Sequence, residues 1–419
     1  MVELDDIQMI ADKARDGATF IRNADAAQKN KALHAAAAAI RANAAAIIAV
    51  NAKDVAIATS REMSSAMLDR LTLNDERIEG IAAAVEAIAA FDDPIGEVID
   101  RRERPNGLVI ERVRAPIGVL GIIYESRPNV TIDAAALAMK SGNAAILRGG
   151  SECLNSSLAL FDCFRAALVE NGIPDGVVQL IDSPDRNYVG VMLGGLDGVI
   201  DLIVPRGGKS LVARVQTEAR VPVLSHMDGM NTIYIDQDAN LEKAINICVN
   251  SKMRRPSVCG AAETILIASP LAPLFLPELA TQLINAGCVL RGDKMACAID
   301  GRLTAATRED WVTEYLAPII SIAIVEHVDG AIAHIGMYSS HHTDAIVTEN
   351  TQTAQRFIDA VDSAIIMHNA TTSFADGGEF GLGAEIGIAT GRLHARGPVG
   401  VRELTTYKNI VRGTGQVRP

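Results

Sequence analysis

The chain has 419 residues, 49% hydrophobic and 21% charged. That excludes a disordered or collagen-like polypeptide and predicts two or three domains at about 150 residues each. Lys and Arg total 39 against 51 Asp and Glu, a net charge of −12, which excludes a non-specific nucleic-acid binder while leaving room for a local pocket for a small anion. The six cysteines (153, 163, 248, 259, 288 and 297) show neither CxxC nor zinc-type spacing, so they read as reduced thiols and no metal site is expected. The first residues are acidic, without an apolar signal region, and no apolar run approaches the roughly 18 residues of a membrane helix. The expectation is a soluble cytoplasmic protein without membrane or nucleic-acid partners.

Residues 1 to about 90 read as helices, with one Ala-rich helix over Ala32–Val50, because Ala is the best helix former. Between Gly96 and Val119 polar and apolar residues alternate around Pro105-Asn106-Gly107, a hairpin signal; it serves as a surface hairpin or as an arm in subunit contact, and the sequence leaves both open. From Val119 the pattern is β-α-β-α. Strands are predicted at Val119–Ile123, Ala144–Arg148, Val177–Ile181, Val199–Val204 and Val221–Leu224. Helices are predicted at Ile132–Lys140, Leu154–Glu170, Tyr188–Leu193 and Lys209–Arg220. Short apolar strands alternating with helices imply a parallel sheet covered on both faces, with its ligand at the carboxyl ends of the strands. A second α/β stretch follows, with strands Asn231–Asp236 and Glu263–Ala268 and helices Asn240–Lys252 and Pro277–Ala286. The C-terminal stretch around Thr405–Val411 reads as a strand.

Several short motifs bear on chemistry. Pro205-Arg206-Gly207-Gly208-Lys209-Ser210 ends a strand and opens a helix. Ile203 stands where a P-loop requires Gly, so a P-loop NTPase is rejected. A strand, a Gly207-Gly208 turn, Lys209 and a helix N-terminus make an anion seat; an ordinary tight turn fits equally well. The Gly377–Gly387 run has Ile386 where a dinucleotide fingerprint needs Gly and has no preceding strand. Cys259 lies in a loop with Arg254, Arg255, Ser257 and Gly260. Nearby cations lower a thiol pKa, and Gly260 leaves space for a carbonyl. That loop favours a nucleophile over a buried apolar thiol, whereas Cys153, Cys163, Cys248 and Cys288 fall in helical or apolar segments and read as packing residues. His341-His342-Thr343-Asp344 reads as a polar substrate-facing loop rather than a metal site. The basic segment 391–398, with Arg392 and Arg396, is an anion-recognition loop or a solvated one.

Seven stretches carry a resemblance: APIGVLGIIYESRPNVTIDAAALAMKSGNAAILRGGSE (115–152), VPRGGKSLV (204–212), VPVLSHMDGMNTIYID (221–236), RPSVCGAAETILI (255–267), TEYLAPIISIAIV (313–325), SSHHTDAIVTEN (339–350) and FADGGEFGLGAEIGIATGRLHARGPVG (374–400). In this order they resemble the gamma-glutamyl phosphate reductases of the aldehyde dehydrogenase superfamily. The resemblance implies an α/β fold of that type. An NADPH-binding domain would span 1–97 and 117–225, a catalytic domain 226–400, and a β oligomerisation arm 98–116 and 401–419. It implies NADPH-dependent reduction of L-glutamate 5-phosphate to L-glutamate 5-semialdehyde with release of phosphate, the second step of proline synthesis from glutamate. Cys259 would be the nucleophile and pass through a thioester.

By the same resemblance Glu314, in a Glu-x-x-x-Pro pattern ending at Pro318, would hold the nicotinamide ribose. Arg148 and Glu152 would contact the adenosine ribose, Arg148 favouring NADPH through its 2′-phosphate. Gly207, Gly208 and Lys209 would lie near the pyrophosphate. Candidate substrate contacts are Arg127, Arg255, His341, Arg392 and Arg396 for the anionic groups and Asp228 for the ammonium. His226 stands where hydrolytic relatives carry the Glu that activates water, which argues against oxidation to a free acid. The oxyanion Asn of the superfamily has no secure counterpart: Asn129 is nearby, but strict register gives Glu125. A homodimer or a multiple of one is expected, with a functional association with the kinase that makes the acyl phosphate. The alternatives are an acyl-CoA reductase and a non-catalytic binding protein on the same fold.

Overall fold

The computed structural model describes residues 4–225, 228–382 and 384–418. The chain divides into two compact units, Met1–Ser225 with Gly381–Gly387 and Val399–Pro419, and His226–Phe380 with Ile388–Pro398. The stretch 381–387 and residues 399–400 thus group with the first unit. There Ile386 donates its N–H to Val399 O (3.0 Å) and Val399 to Gly387 O (2.9 Å).

The first unit opens with helices α1 (Leu4–Ile21), α2 (Ala26–Ala42), α3 (Ala44–Ser60), α4 (Ser65–Leu71) and α5 (Asp75–Ala90). The Ala-rich run predicted as one helix is two. The Asn43 side chain donates to Ala39 O (2.8 Å), competing with the backbone ladder as Asn does, and the axis bends by 68° there. Ala32, Leu33, Ala36, Ala37 and Ile40 form the buried stripe of α2, which packs on α5 and on α7 (Leu154–Glu170). Among the described residues no single helix is long and apolar enough to cross a membrane.

After β1 (Val98–Glu103) and β2 (Val109–Pro116), the sheet core follows as β3 (Val119–Tyr124), α6 (Pro128–Lys140), β4 (Ala144–Arg148), α7, β5 (Val178–Leu180), α8 (Asn187–Leu193), β6 (Leu202–Arg206) and α9 (Lys209–Glu218). The parallel order is β5-β4-β3-β6. Every residue of β3 and β4 is buried, as a sheet covered on both faces requires. The strand order reverses between β3 and β6, which puts the crevice of such sheets beyond their carboxyl ends at Glu125 and Gly207. The expected strand Val221–Leu224 reduces to a single bridge from Val223 to Ile203, because Pro222 has no N–H to donate.

The second unit contains β7 (Asn231–Ile235), α10 (Leu241–Met253), β8 (Ala262–Ala268), α11 (Ala272–Asn285), β9 (Val289–Gly292), α12 (Lys294–Ile299), β10 (Thr304–Ala305), β11 (Ile319–Val325), α13 (Val328–Tyr338), β12 (Thr343–Val347), α14 (Thr351–Ala360), β13 (Ile365–His368), β14 (Ile388–Ala389) and β15 (Gly397–Pro398). Seven strands form a parallel sheet in the order β10-β9-β11-β8-β7-β12-β13. Ile233, Ile265, Ile267, Ile320 and Ile322 anchor one face against Phe275, Leu276 and Leu279 of α11. Each such buried side chain contributes about 1.5–3 kcal/mol.

The predicted hairpin forms. Arg104 and Leu108 close it (2.8 Å) and Gly107 turns it at φ +84°, a conformation that favours glycine. The last strand, β16 (Thr405–Arg412), pairs antiparallel with β2 along its whole length, giving the sheet β1-β2-β16. Val98, Ile99, Tyr407 and Val411 are exposed on it.

Candidate active site

Cys259 lies in the turn between α10 and β8, half-buried. Pro256 bars continuation of the helix, and Ala261 N–H closes the turn on Val258 O (3.0 Å). The side-chain amide of Asn231 donates to Cys259 O (2.6 Å) and to Ala261 O (2.9 Å), and its oxygen accepts Thr343 N–H (3.1 Å). Gly229 packs against the same carbonyl: a Cβ there would lie 2.1 Å from Cys259 O. Gly229→Ala is therefore expected to push the turn aside, lowering stability by about 1–3 kcal/mol and kcat with it; urea midpoints and turnover check this.

Glu314 precedes β11, and its Oε1 accepts Gly229 N–H (2.9 Å). The loop around it is fixed by Tyr315, whose hydroxyl bonds Asp310 and Ser321 (2.8 Å each). The Lys252 ammonium lies 5.7 Å over the Tyr315 ring and pairs at 2.6 Å with Glu263, both fully buried. Burial pushes the Glu263 carboxyl up to about 7, and its lowering contacts include Lys252 and the Leu316 backbone. On the far side of Gly229, Met230 N–H bonds Ser340 Oγ (2.9 Å). Asp344 accepts from Ser339 Oγ (2.8 Å), Ser363 Oγ and Thr232 N–H. Asn231, Thr343 and Asp344 stand at the amino ends of their strands, and Cys259 and Glu314 precede β8 and β11. This edge is opposite to the one parallel sheets ordinarily use.

Of the other expected residues here, Asp228 is half-buried beside Gly229 and Arg255 is exposed at the start of the turn. His341 adopts φ +60°, uncommon for a residue with a Cβ, and its Nδ1 is buried without a hydrogen-bond partner. Arg392 and Arg396 are instead ion-paired to Asp362, at 2.6 Å each. His226 lies outside the described residues. The packing thiols behave as expected: burial pushes Cys153 and Cys288 up to about 11, and also raises Cys163 and Cys248.

In the first unit Arg148 ends β4. Its Nη2 donates to Pro184 O (3.2 Å), while Nε is buried with no partner. Glu152 accepts Ser126 N–H and Oγ (3.1 and 2.7 Å), holding Ser126 at φ +40°. At the Gly207-Gly208 turn the Glu125 carboxylate accepts Gly208 N–H (2.7 Å), and a Cβ on Gly207 would lie 2.7 Å from it. The chain's own carboxylate thus sits at the expected anion seat; Lys209 opens α9 and is exposed. Arg127 caps α6, half-buried. Asn129 is committed to Asp133 (2.9 Å), whose carboxyl loss of water pushes up to about 6.

Sequence reasoning missed Asn231, Gly229 and the Lys252–Glu263 pair, and it named Glu125 only by register with the superfamily Asn, not as the group that accepts Gly208 N–H. Polar residues at the buried starts of β7 and β8, and a Lys inside an otherwise apolar helix face, were the available signals.

The Aldehyde dehydrogenase family profile matches residues 2–294. A gamma-glutamyl phosphate reductase of Caulobacter vibrioides is 58% identical over 406 residues, covering 97% of this chain and 98% of that one. The chain belongs to the gamma-glutamyl phosphate reductase family. The crystal structure of a gamma-glutamyl phosphate reductase from Thermotoga maritima, 44% identical, covers 99% of this chain and 100% of its own with a TM-score of 0.96. An acetylating aldehyde dehydrogenase from Geobacillus thermoglucosidasius, at 17% identity and a TM-score of 0.70, shares the fold.

Proposed function

We infer that this chain reduces L-glutamate 5-phosphate to L-glutamate 5-semialdehyde with a nicotinamide cofactor and releases inorganic phosphate, the second step of proline synthesis from glutamate. Membership of the reductase family over nearly the full chain supports the reaction. The observation that carries the chemistry is Cys259, held in a turn whose carbonyl is fixed by Asn231 and whose neighbour Gly229 is bonded to Glu314.

The Cys259 thiolate attacks the acyl carbon, the C–O bond to phosphate breaks, and phosphate departs with the electron pair, leaving a thioester. Covalent catalysis of this kind divides one hard step into two easier ones. When bound, NADPH supplies the hydride that takes the thioester to the aldehyde level, so that the thiolate is released. By the family resemblance His226 stands in sequence where hydrolytic relatives carry a water-activating Glu, which supports exchange of the thioester with phosphate over hydrolysis.

The residues at the carboxyl edge of the first sheet suit a dinucleotide. The partnerless, buried Nε of Arg148 is a donor for an anion such as a 2′-phosphate, which supports NADPH over NADH. Gly207, Gly208 and Lys209, at the start of α9, would hold the pyrophosphate; the Glu125 carboxylate would have to give up Gly208 N–H for a phosphate oxygen to take it. By the family resemblance Glu152 would contact the adenosine ribose and Glu314 would hold the nicotinamide ribose. We assign the first unit to cofactor binding and the second to catalysis, with the β1-β2-β16 sheet as the arm of a homodimer or a multiple of one; its exposed apolar residues support that role.

For the substrate we take Arg127, Arg255 and His341 toward the anionic groups and Asp228 toward the ammonium. Arg392 and Arg396 share the single Asp362 carboxylate, which leaves the cluster one positive charge, so both stay in the set as anion contacts. Arg127→Ala is expected to raise the substrate KM about 10- to 100-fold, the scale of one charged hydrogen bond, with little change in the cofactor KM. Equal effects on both would remove that role.

The test of the reading is NADP⁺ reduction by the purified protein with glutamate 5-semialdehyde, with and without inorganic phosphate. Strict phosphate dependence is expected. Turnover without phosphate, or with CoA in its place, would overturn the acyl-phosphate reaction, and no turnover under any of these conditions would overturn the enzyme assignment.

A further inference from the structure

Asn231 is fully buried and spends its whole side-chain amide at one point of the fold. Its two N–H bonds hold the carbonyls of Cys259 and Ala261, and its oxygen holds Thr343 N–H. Three separate pieces of chain, the amino end of β7, the turn before β8 and the amino end of β12, therefore meet on a single side chain. Its own N–H bonds Gly229 O (3.0 Å), which fixes the Gly229–Asn231 backbone on the same carbonyl.

The consequence for the thiol follows from peptide geometry. In a trans peptide the C=O of one residue and the N–H of the next point in opposite directions. With Cys259 O drawn onto Asn231, the plane of the Cys259–Gly260 peptide is set, Gly260 N–H is turned away from Asn231, and the rotation about the Cys259 Cα that aims its side chain is restricted. A nucleophile gains its rate from being held in an attacking geometry, and displacement by about 1 Å costs on the order of 100-fold. No other residue type of this size supplies two donors and one acceptor together: Ala supplies none, Ser supplies one donor, and an ionised Asp would face two carbonyl oxygens with a negative charge.

We propose that Asn231 is a positioning residue for the Cys259 nucleophile, clamping the Cys259 and Ala261 carbonyls so that the thiol is presented for attack. The proposal rests on the reading of Cys259 as the nucleophile. Asn231 touches neither substrate nor cofactor in this role, so its loss acts on the chemical step and spares binding.

The experiment uses the full-length protein and three variants, Asn231→Ala, Asn231→Asp and Cys259→Ala. Rates are expressed per thiol competent for acylation, measured as the Cys259 adduct formed with substrate in the absence of cofactor. For Asn231→Ala a fall in kcat of about 100-fold is expected, with both KM values within about threefold of wild type. Asn231→Asp keeps the shape and loses the donors, so its kcat falls further at pH 8. It recovers relative to wild type as the pH is lowered, because the protonated acid regains one donor. The titratable and charged groups around this point are the Cys259 thiol itself, Glu314, bonded through Gly229, Asp344, bonded to Thr232, and His342 beside Thr343; normalising to wild type at each pH removes the part of their titration that the two proteins share.

A kcat per competent thiol within threefold of wild type in Asn231→Ala overturns the proposal. So does a loss accounted for wholly by fewer competent thiols, which would make Asn231 a structural residue only. If Asn231→Ala does not fold, Asn231→Asp and its pH recovery decide the matter, and absence of recovery overturns the clamp. Activity in Cys259→Ala would instead overturn the underlying reading of the site.

Discussion

Cys259→Ala is expected to lower turnover by roughly 10⁴-fold or more, the scale on which loss of a covalent nucleophile acts, while the protein stays folded and retains its cofactor affinity. Cys259 is half-buried and its backbone, not its sulfur, makes the contacts with Asn231, so removing the sulfur costs little stability. No other thiol can take over. Cys153, Cys248 and Cys288 are buried and Cys163 is half-buried on α7, and burial raises each of them, which favours the thiol at neutral pH, whereas it is the thiolate that attacks. The Cys297 thiol sits in a separate turn, with its one S–H in reach of Gly292 O (3.4 Å) or Leu303 O (3.7 Å). The checks are turnover, a melting curve and cofactor titration on the same sample. Mass spectrometry of wild-type protein incubated with the acyl phosphate and no cofactor should place the adduct on Cys259. Retained turnover in Cys259→Ala would end the covalent mechanism.

The legible part of this chain was its local periodicity and its loop chemistry. Short apolar runs between helices marked β3, β4, β7 and β8, because a strand buried on both faces reads as continuous Val, Ile and Leu. Pro105-Asn106-Gly107 marked the hairpin because the turn demands positive φ. Cys259 stood out because it was the thiol next to Gly and two Arg outside any helical stripe. The break at Asn43 and the failure of Val221–Leu224 as a strand turn on one side chain each, an Asn that takes a helix carbonyl and a Pro that has no N–H, and average propensity over a window dilutes both.

The site's supporting contacts were illegible for a different reason: they join residues far apart in sequence. Asn231 meets Thr343 across 112 positions, Glu314 meets Gly229 across 85, and Glu125 meets Gly208 across 83. Spacing within a motif carries no information about such pairs. The Glu125 contact shows the consequence. The Gly207-Gly208 turn was readable as an anion seat from its own residues, but the anion that holds it in this structure is a side chain from the end of another strand.

Lys252→Met is expected to destabilise the protein by about 3–5 kcal/mol, the range for leaving one partner of a buried ion pair alone, and to do so increasingly as pH rises. Lys252 and Glu263 are both fully buried and 2.6 Å apart. Burial already raises Glu263 to about 7 despite the pull of Lys252. An acid whose folded pKa lies above its unfolded value near 4.5 binds more protons in the folded state between those two pH values. Its contribution to stability therefore falls as pH rises through that window and is flat above it. Without Lys252 the folded value moves higher, so in the variant the fall continues past pH 7 and the deficit relative to wild type widens at pH 8.5. Urea midpoints at pH 6, 7 and 8.5, at one fixed protein concentration to hold any assembly constant, measure this directly. Lys252→Met combined with Glu263→Leu removes both charges and should recover most of the loss. The functional effect follows from position: Lys252 lies over Tyr315, and Glu263 is held down in part by the Leu316 backbone, on the loop that presents Glu314, so the single variant should raise the cofactor KM more than the substrate KM. A deficit independent of pH, or a double variant as unstable as the single one, would show that the pair does not hold this loop by charge.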